Sequence, residues 1–457
     1  MEQKIINQDQ IQDILSRAEK VSPKTILNIL KKARKKQGLN LEEAGFLLIL
    51  NEPQLKQELF NTASFIKEEI YGERLVFFAP LYISDFCVND CKYCNFHISN
   101  QILRRLRLSL EEIEEQTKIL INMGHKRILL ECAEDPINCD IDFVIKAIER
   151  IYAVAAPKGN IRRINVNIAA TSRENYRKLK SAKIGTYQLF QETYHRETYE
   201  KLHNGPKQDY ERQITAHCRA FEAGLDDLGI GVLFGLYDWR FEVLALISHA
   251  QFLDKKYGVG PHTISVPRFR PGPTINFTPA QRVSDNDFLK LIAILRLAVP
   301  YTGMIISTRE SPQIRRQAFK IGISQASAAS QTSTGGYGKV NSQPQFELED
   351  KRSLEEVIKD VVNEGFLPSF CTACYRSGRT GKEFMRLSKP GQIHKFCRSN
   401  GLLTFSEYLE DFVTDGLKKK AQILIKSYLE KIEEKELRKE TEKRILSIKQ
   451  GERDLYF

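Results

Sequence analysis

Cys87, Cys91 and Cys94 stand at Cys-x3-Cys-x2-Cys spacing, a short loop of thiols able to serve a cubane iron–sulfur cluster. A 4Fe–4S cluster takes four ligands, so three cysteines leave one iron open, as a catalytic zinc site leaves its fourth position open. An open iron can chelate a small molecule and pass it an electron. A zinc knuckle is the competing reading of Cys-x2-Cys, but no further Cys-x2-Cys or His-x3-His pair lies close by to complete a tetrahedron. A second trio, Cys371, Cys374 and Cys397, has Cys-x2-Cys-x22-Cys spacing. Alone it reads equally as a zinc ribbon or a second iron–sulfur cluster, and the first trio favours the cluster. Arg376, Gly378, Arg379 and Gly381 between its cysteines suit close backbone approach and an anionic guest. Cys132, Cys139 and Cys218 read as packing or surface thiols.

These residues need elements to hold them. Residues 1–70 read as a helical extension, with Ser22-Pro23 and Asn40-Leu41-Glu42-Glu43 as helix starts. Eight β-rich runs follow: Leu75–Phe78, Arg127–Glu131, Arg163–Ile168, Thr186–Phe190, Leu228–Phe234, Thr263–Pro267, Met304–Thr308 and Ile323–Ser327. Helical patterns separate them; Ser109 with Glu112, and Thr171 with Glu174, read as capping boxes, and Gly124 and Gly185 as stops. The alternation predicts an α/β fold, a (β/α)8 barrel over residues 71–340. Polar residues follow the strands: Glu134, Asp135, Asn167, Gln191, Glu192, Arg268, Arg309 and Ser327. In such a barrel the C-terminal strand ends carry the active site, and the Cys87 loop follows the first strand. Residues 341–457 read as a mainly α region around the second trio. Within it Asn341–Asp350 is linker-like, Leu354–Glu364 and Phe405–Val413 are helical, and Lys418–Gln450 is one long charged helix.

The 457 residues are 42% hydrophobic, as in ordinary globular proteins, and suffice for two or three domains. No apolar run reaches membrane-spanning length and the first ten residues are polar, so the reading is no membrane and no signal peptide. Nine clustered cysteines, an odd number, argue against a disulfide framework and for a reducing cytoplasmic setting. Lys and Arg mix with Glu despite a net charge of +11, which reads as solvated helix faces rather than nucleic-acid binding.

The first trio, with Tyr93 at the aromatic place before its last cysteine, resembles the radical S-adenosylmethionine (SAM) superfamily. Over nearly the whole chain the sequence resembles the HydG family, radical SAM maturases of FeFe-hydrogenase. The stretches are LYISDFCVNDCKYC (Leu81–Cys94), RRINVNIAAT (Arg162–Thr171), IGTYQLFQETYH (Ile184–His195), IGVLFGL (Ile230–Leu236), GVGPHTISVPR (Gly258–Arg268), YTGMIISTRES (Tyr301–Ser311), PSFCTACYRSGRTG (Pro368–Gly381) and GERDLYF (Gly451–Phe457). The related tyrosine lyase of thiamine synthesis, ThiH, lacks the second trio. The resemblance implies a SAM-binding 4Fe–4S cluster on Cys87, Cys91 and Cys94, and an auxiliary cluster on Cys371, Cys374 and Cys397. It implies an extra iron held partly by His262. It also implies cleavage of L-tyrosine at Cα–Cβ to p-cresol and dehydroglycine, which is converted to CO and cyanide. A reduced donor such as ferredoxin and other hydrogenase maturation proteins are the implied partners. The family usually has Gly-Glu-Asp-Pro near the SAM amino group; here it is Ala133-Glu134-Asp135-Pro136. A basic residue usually holds the substrate carboxylate where this chain has Gln331, so Arg309 is the alternative carboxylate partner. A HydG-like paralogue acting on another amino acid or amine, and a non-catalytic iron–sulfur carrier, are the alternative functions.

Overall fold

A computed structural model describes residues 4–279, 281–338, 342–413 and 415–457. Eight parallel strands alternate with helices: β1 Arg74–Ser84, β2 Arg127–Cys132, β3 Arg163–Asn167, β4 Tyr187–Glu192, β5 Leu228–Val232, β6 Thr263–Ser265, β7 Gly303–Ile306 and β8 Gln325–Ser327. The order runs β2 to β8 and back to β1, and pairing of Ala79 with Ile128 and Leu81 with Leu130 closes the barrel. The strands are buried almost throughout, as a parallel sheet covered by helices requires. The expected (β/α)8 barrel is the fold.

A ninth strand, β9 (Leu367–Ser369), has no counterpart among the expected runs. β1 is eleven residues long, where the sequence suggested only Leu75–Phe78. Its extra length gives it three partners. Val76 pairs with Gln325 of β8 on one side and with Ser369 of β9 on the other, while residues beyond Phe78 pair with β2. β9 therefore lies beneath β2, at the N-terminal end of the barrel. A run of three residues containing Pro368 is too short to stand out as a strand.

The N-terminal region forms four helices, Gln8–Ala18, Pro23–Ala33, Leu41–Leu48 and Pro53–Tyr71. Ser22 caps the second, and Asn40 with Glu43 makes a capping box on the third. They pack against the barrel helices Trp239–Tyr257 and Asp285–Ala298. Ser109 and Glu112 form the expected box, and Gly124 ends that helix at φ +107°. The next expected box is displaced: Ser172, not Thr171, caps Arg173–Ser181, and Lys183 rather than Gly185 takes the left-handed turn. Gly185 is required for closeness instead, because a Cβ there would meet Asn165 Oδ1 at 2.2 Å. The expected long terminal helix is two, Asp415–Glu430 and Lys435–Lys449, and Phe405–Val413 belongs to a longer helix, His394–Phe412. No helix among the described residues is long and apolar enough to cross a membrane.

Candidate active site at the two ends of the barrel

A cavity of about 1540 Å³ of atom-free space, partly open to solvent, occupies the C-terminal end of the barrel. Its wall includes Cys87, Cys91, Cys94, Tyr93, Glu134, Asn167, Glu192, Arg309 and Ser327, as the sequence reading grouped them. The cysteine loop is fixed from below. Val88 N donates to Glu134 O at 2.8 Å, and Asn89 Nδ2 donates to Glu134 Oε2 at 2.7 Å. Arg212 pairs with the other carboxylate oxygen at 2.5 Å. Asn89 N approaches Cys87 Sγ at 3.4 Å and Gln345 Nε2 approaches Cys94 Sγ at 3.5 Å, donors suited to thiolates. Burial pushes all three thiols up, so the positive charge of bound iron is what this pocket needs to deprotonate them. Among the described residues no three His, Cys, Asp or Glu side chains gather closely enough for one mononuclear ion. A cubane holds its cysteines at separate corners, and the trio's chemistry fits that group.

His203 Nδ1 lies 2.7 Å from Tyr199 O, which can only accept, so Nδ1 carries the proton and Nε2 accepts from Tyr93 OH at 2.7 Å. Burial lowers His203 to about 3, which keeps the ring neutral. Glu192 points inward because β4 bulges between Phe190 and Glu192, which sits at φ +69°. It pairs with Lys207 Nζ at 2.8 Å. The same bulge keeps Gln191 off the cavity wall, with Nε2 buried and unpartnered among the described residues.

Three more expected residues lie away from the cavity. Asp135 accepts from Ile137 N and Asn138 N, both at 2.8 Å, and ties its own turn. Arg268 is spent on Glu310, Asp285 and Val283 O, and its neighbours Phe269 and Arg270 line the cavity instead. Gln331 is exposed, while Ser330 and Thr332 on either side face the cavity. Arg309 remains: its guanidinium lies 3.3 Å from the Phe346 ring centroid and makes no ion pair among the described residues. Burial lowers its pKa, against the pull of Tyr82, Glu192 and Glu131.

The sequence reading missed Glu131, Lys207, Tyr82 and Gln345. Burial raises Glu131 to about 7 despite the Tyr82 hydroxyl and Arg309. A carboxylate at the inward end of β2 was visible as the last residue of its run. Gln345 lay in the stretch read as a linker, but Gln345 and Phe346 line the cavity, and Gln345 N donates to Thr332 O at 2.8 Å. Cys132, read as a packing thiol, also lines it.

The second trio occupies the opposite end. Cys371 lies two residues past the end of β9, Cys374 is in the short helix Ala373–Arg376, and Arg74 Nη2 approaches Cys397 Sγ at 3.0 Å. Tyr375 OH meets Thr186 Oγ1 at 2.8 Å, at the foot of β4. His262, at the foot of β6, stacks on Phe384 at 3.9 Å and faces Tyr375 at 5.8 Å. Its Nδ1 is 2.9 Å from Asp227 Oδ2, off the alignment of a good hydrogen bond. Burial opposes the Asp227 charge, but His262 beside it holds the carboxyl below its ordinary range. A carboxylate behind one imidazole nitrogen leaves the other for a metal.

Residues 81–246 match the Radical SAM superfamily, and residues 265–367 the Biotin and Thiamin Synthesis associated domain. A crystal structure of HydG, a maturase of the FeFe-hydrogenase, superposes with a TM-score of 0.96 at 51% identity, covering 99% of this chain and all of that one. The chain belongs to the HydG family. The HydG of Carboxydothermus hydrogenoformans is 40% identical, with a TM-score of 0.83, over 96% of this chain and 100% of its own. The 2-iminoacetate synthase of Salmonella typhimurium is 31% identical over 65% of this chain and 78% of its own. Like the rest of the family, this chain is a radical SAM lyase that works with a 4Fe–4S cluster and SAM.

Proposed function

We propose that this chain cleaves L-tyrosine between Cα and Cβ to p-cresol and dehydroglycine, and converts the latter to CO and cyanide for FeFe-hydrogenase assembly. The observation that carries this is the placement of two cysteine trios at opposite ends of one barrel, the first beside a cavity whose Arg309 guanidinium makes no ion pair among the described residues. Cys87, Cys91 and Cys94 would hold a 4Fe–4S cluster with one iron open to SAM, and the pair would supply the radical chemistry needed to remove a hydrogen from the substrate amino group. The chain binds, orients and shields. Glu134, anchored by Arg212 and Asn89, holds the cysteine loop in place. Arg309 takes the substrate carboxylate, and Ser327 and Asn167 stand on the same wall. Asp227 orients His262 towards Cys371, Cys374 and Cys397, which fit an auxiliary iron–sulfur cluster with an extra iron. The closed barrel between the two ends keeps a small fragment from water.

The test is anaerobic reconstitution with iron and sulfide, then product analysis with SAM, dithionite and L-tyrosine. p-Cresol and 5′-deoxyadenosine should appear together, and Cys371→Ser with Cys374→Ser should keep p-cresol while abolishing CO and cyanide. Formation of 5′-deoxyadenosine without p-cresol would replace tyrosine by another amino acid or amine as substrate.

A further inference from the structure

Six large apolar side chains stand more than a third exposed among the described residues. Three of them, Ile98 at 55%, Ile102 at 72% and Ile137 at 86%, belong to two loops that wrap the Cys87–Cys94 loop. Single exposed apolar residues are ordinary, but half of this set around one site is not a scatter. The loops are held firmly. Ile98 N donates to Asn89 O at 2.8 Å, inside the cysteine loop. Arg105 fastens the stretch between them, reaching Asp85 O and Phe96 O at 2.7 Å. Arg107 Nη1 donates to Asn138 O at 3.1 Å, which brings the Ile137 turn alongside.

Exposed cations outnumber acids around this patch. Lys92, Arg104 and Arg107 are exposed and make no ion pair among the described residues. Two acids stand beside them: Asp90, held by His97 at 2.8 Å and Ser99 at 2.7 Å, and Asp140, which accepts from Phe143 N at 2.8 Å. An apolar centre with a cationic rim suits a small acidic protein, steered by charge and seated by the isoleucines. Ile98 follows Cys94 by four residues, so a protein seated there is close to the first cluster.

The geometry points to this face as the docking surface for an acidic electron-transfer protein of the ferredoxin class, the source of the electron that the proposed function requires. One electron passes from the donor's reduced cluster, which is oxidised, to the cluster on Cys87, Cys91 and Cys94, which is reduced; no bond is made or broken. The surface rests on the reading of that trio as a cluster site, and the experiment separates the two. Reconstituted wild type and the Ile102→Asp/Arg104→Glu variant are compared in two ways. Calorimetry gives the Kd for an oxidised acidic ferredoxin, and stopped-flow absorbance gives the rate of cluster reduction by reduced ferredoxin or by dithionite. The variant should weaken Kd and slow ferredoxin-driven reduction at least about tenfold. Dithionite-driven reduction should stay within about twofold, and Leu446→Asp on another face should change nothing. Unchanged Kd and ferredoxin-driven rate in the variant overturn the surface. A wild-type dimer that the variant dissolves also overturns it, by making the patch a self-interface. Wild type with no dithionite-reducible cluster overturns the cluster reading, while Kd still reports on the surface. If the double variant misfolds, Arg104→Glu alone carries the same comparison, since Arg104 makes no side-chain hydrogen bond or ion pair among the described residues.

Discussion

A substrate carboxylate entering the cavity would meet one cation without an ion pair among the described residues. Glu192 answers Lys207 and Glu349 answers Arg270, but Arg309 lies over Phe346 with no counter-ion among the described residues. A charge-assisted bond there is worth about 1.5–3 kcal/mol. Arg309→Gln should therefore raise the KM for tyrosine about 10- to 100-fold. 5′-Deoxyadenosine formation in the absence of tyrosine should persist. Gln331→Ala should shift KM less than about threefold, because that side chain is exposed. Equal effects of the two substitutions in steady-state p-cresol assays would rule out the assignment. Ala133, the other departure from the family pattern, does not have a positive φ, so its methyl group is tolerated. Ala329, two residues before Gln331, sits at φ +50°, where a Cβ costs about 1 kcal/mol.

At the scale of elements, the stretch from Ser342 to Asp350 decides how the cavity is walled. Its polarity suggested a tether, yet Asp350 is 1% exposed and clasped by Arg315 at 2.5 Å and Arg352 at 2.8 Å. Burial opposes the charge of Asp350, but Arg352 and Arg315 hold its carboxyl below the ordinary range. Removing the acid strands the fully buried Arg315, so Asp350→Ala should cost about 3–5 kcal/mol in denaturant unfolding. It should also weaken tyrosine binding, since Gln345 and Phe346 lose their anchor; a loss under about 1 kcal/mol would show the clasp to be solvent-relaxed. The stretch was misread because Asp350 looks solvated when its buried partner Arg315 is 35 residues away in sequence. The barrel was legible because its strands lie in short β-rich runs that alternate with helical patterns, some with a marked start such as Ser109 with Glu112. β9 was not, since its three residues owe their strand form to pairing with the long β1. The cysteines and cavity-lining polar residues were legible because they follow strand ends. Gln191, Arg268 and Asp135 satisfied the same rule yet miss the cavity, because a bulge, an ion pair and a tied turn aim them elsewhere. Spacing along a strand fixes position and not direction.

At the scale of the whole molecule, one buried carboxyl couples cooperative unfolding to pH. Glu242 lies on helix Trp239–Tyr257, 1% exposed, where it accepts from Thr193 Oγ1 and, at 2.9 Å, from Tyr194 N. Burial pushes it up to about 8 from an ordinary 4.5, against those hydrogen bonds. The folded chain thus keeps a proton that the unfolded chain has released. Its stability contribution is fully present below pH 4.5 and is lost as pH rises through about 8. Glu242→Gln holds the same shape without the proton: its amide oxygen accepts from Tyr194 N, and its NH2 donates to the Thr193 hydroxyl, which can turn to accept. The variant should unfold at nearly the wild-type denaturant midpoint near pH 5. By pH 8 it should be more stable than wild type by a few kcal/mol, of order 1.4 per pKa unit. Unfolding of the metal-free chain at several pH values isolates the effect, because other titrating groups cancel in the difference between the two proteins. Parallel stability curves would mean that Glu242 is ionised in the fold and that Thr193 and Tyr194 stabilise its charge well enough to offset burial.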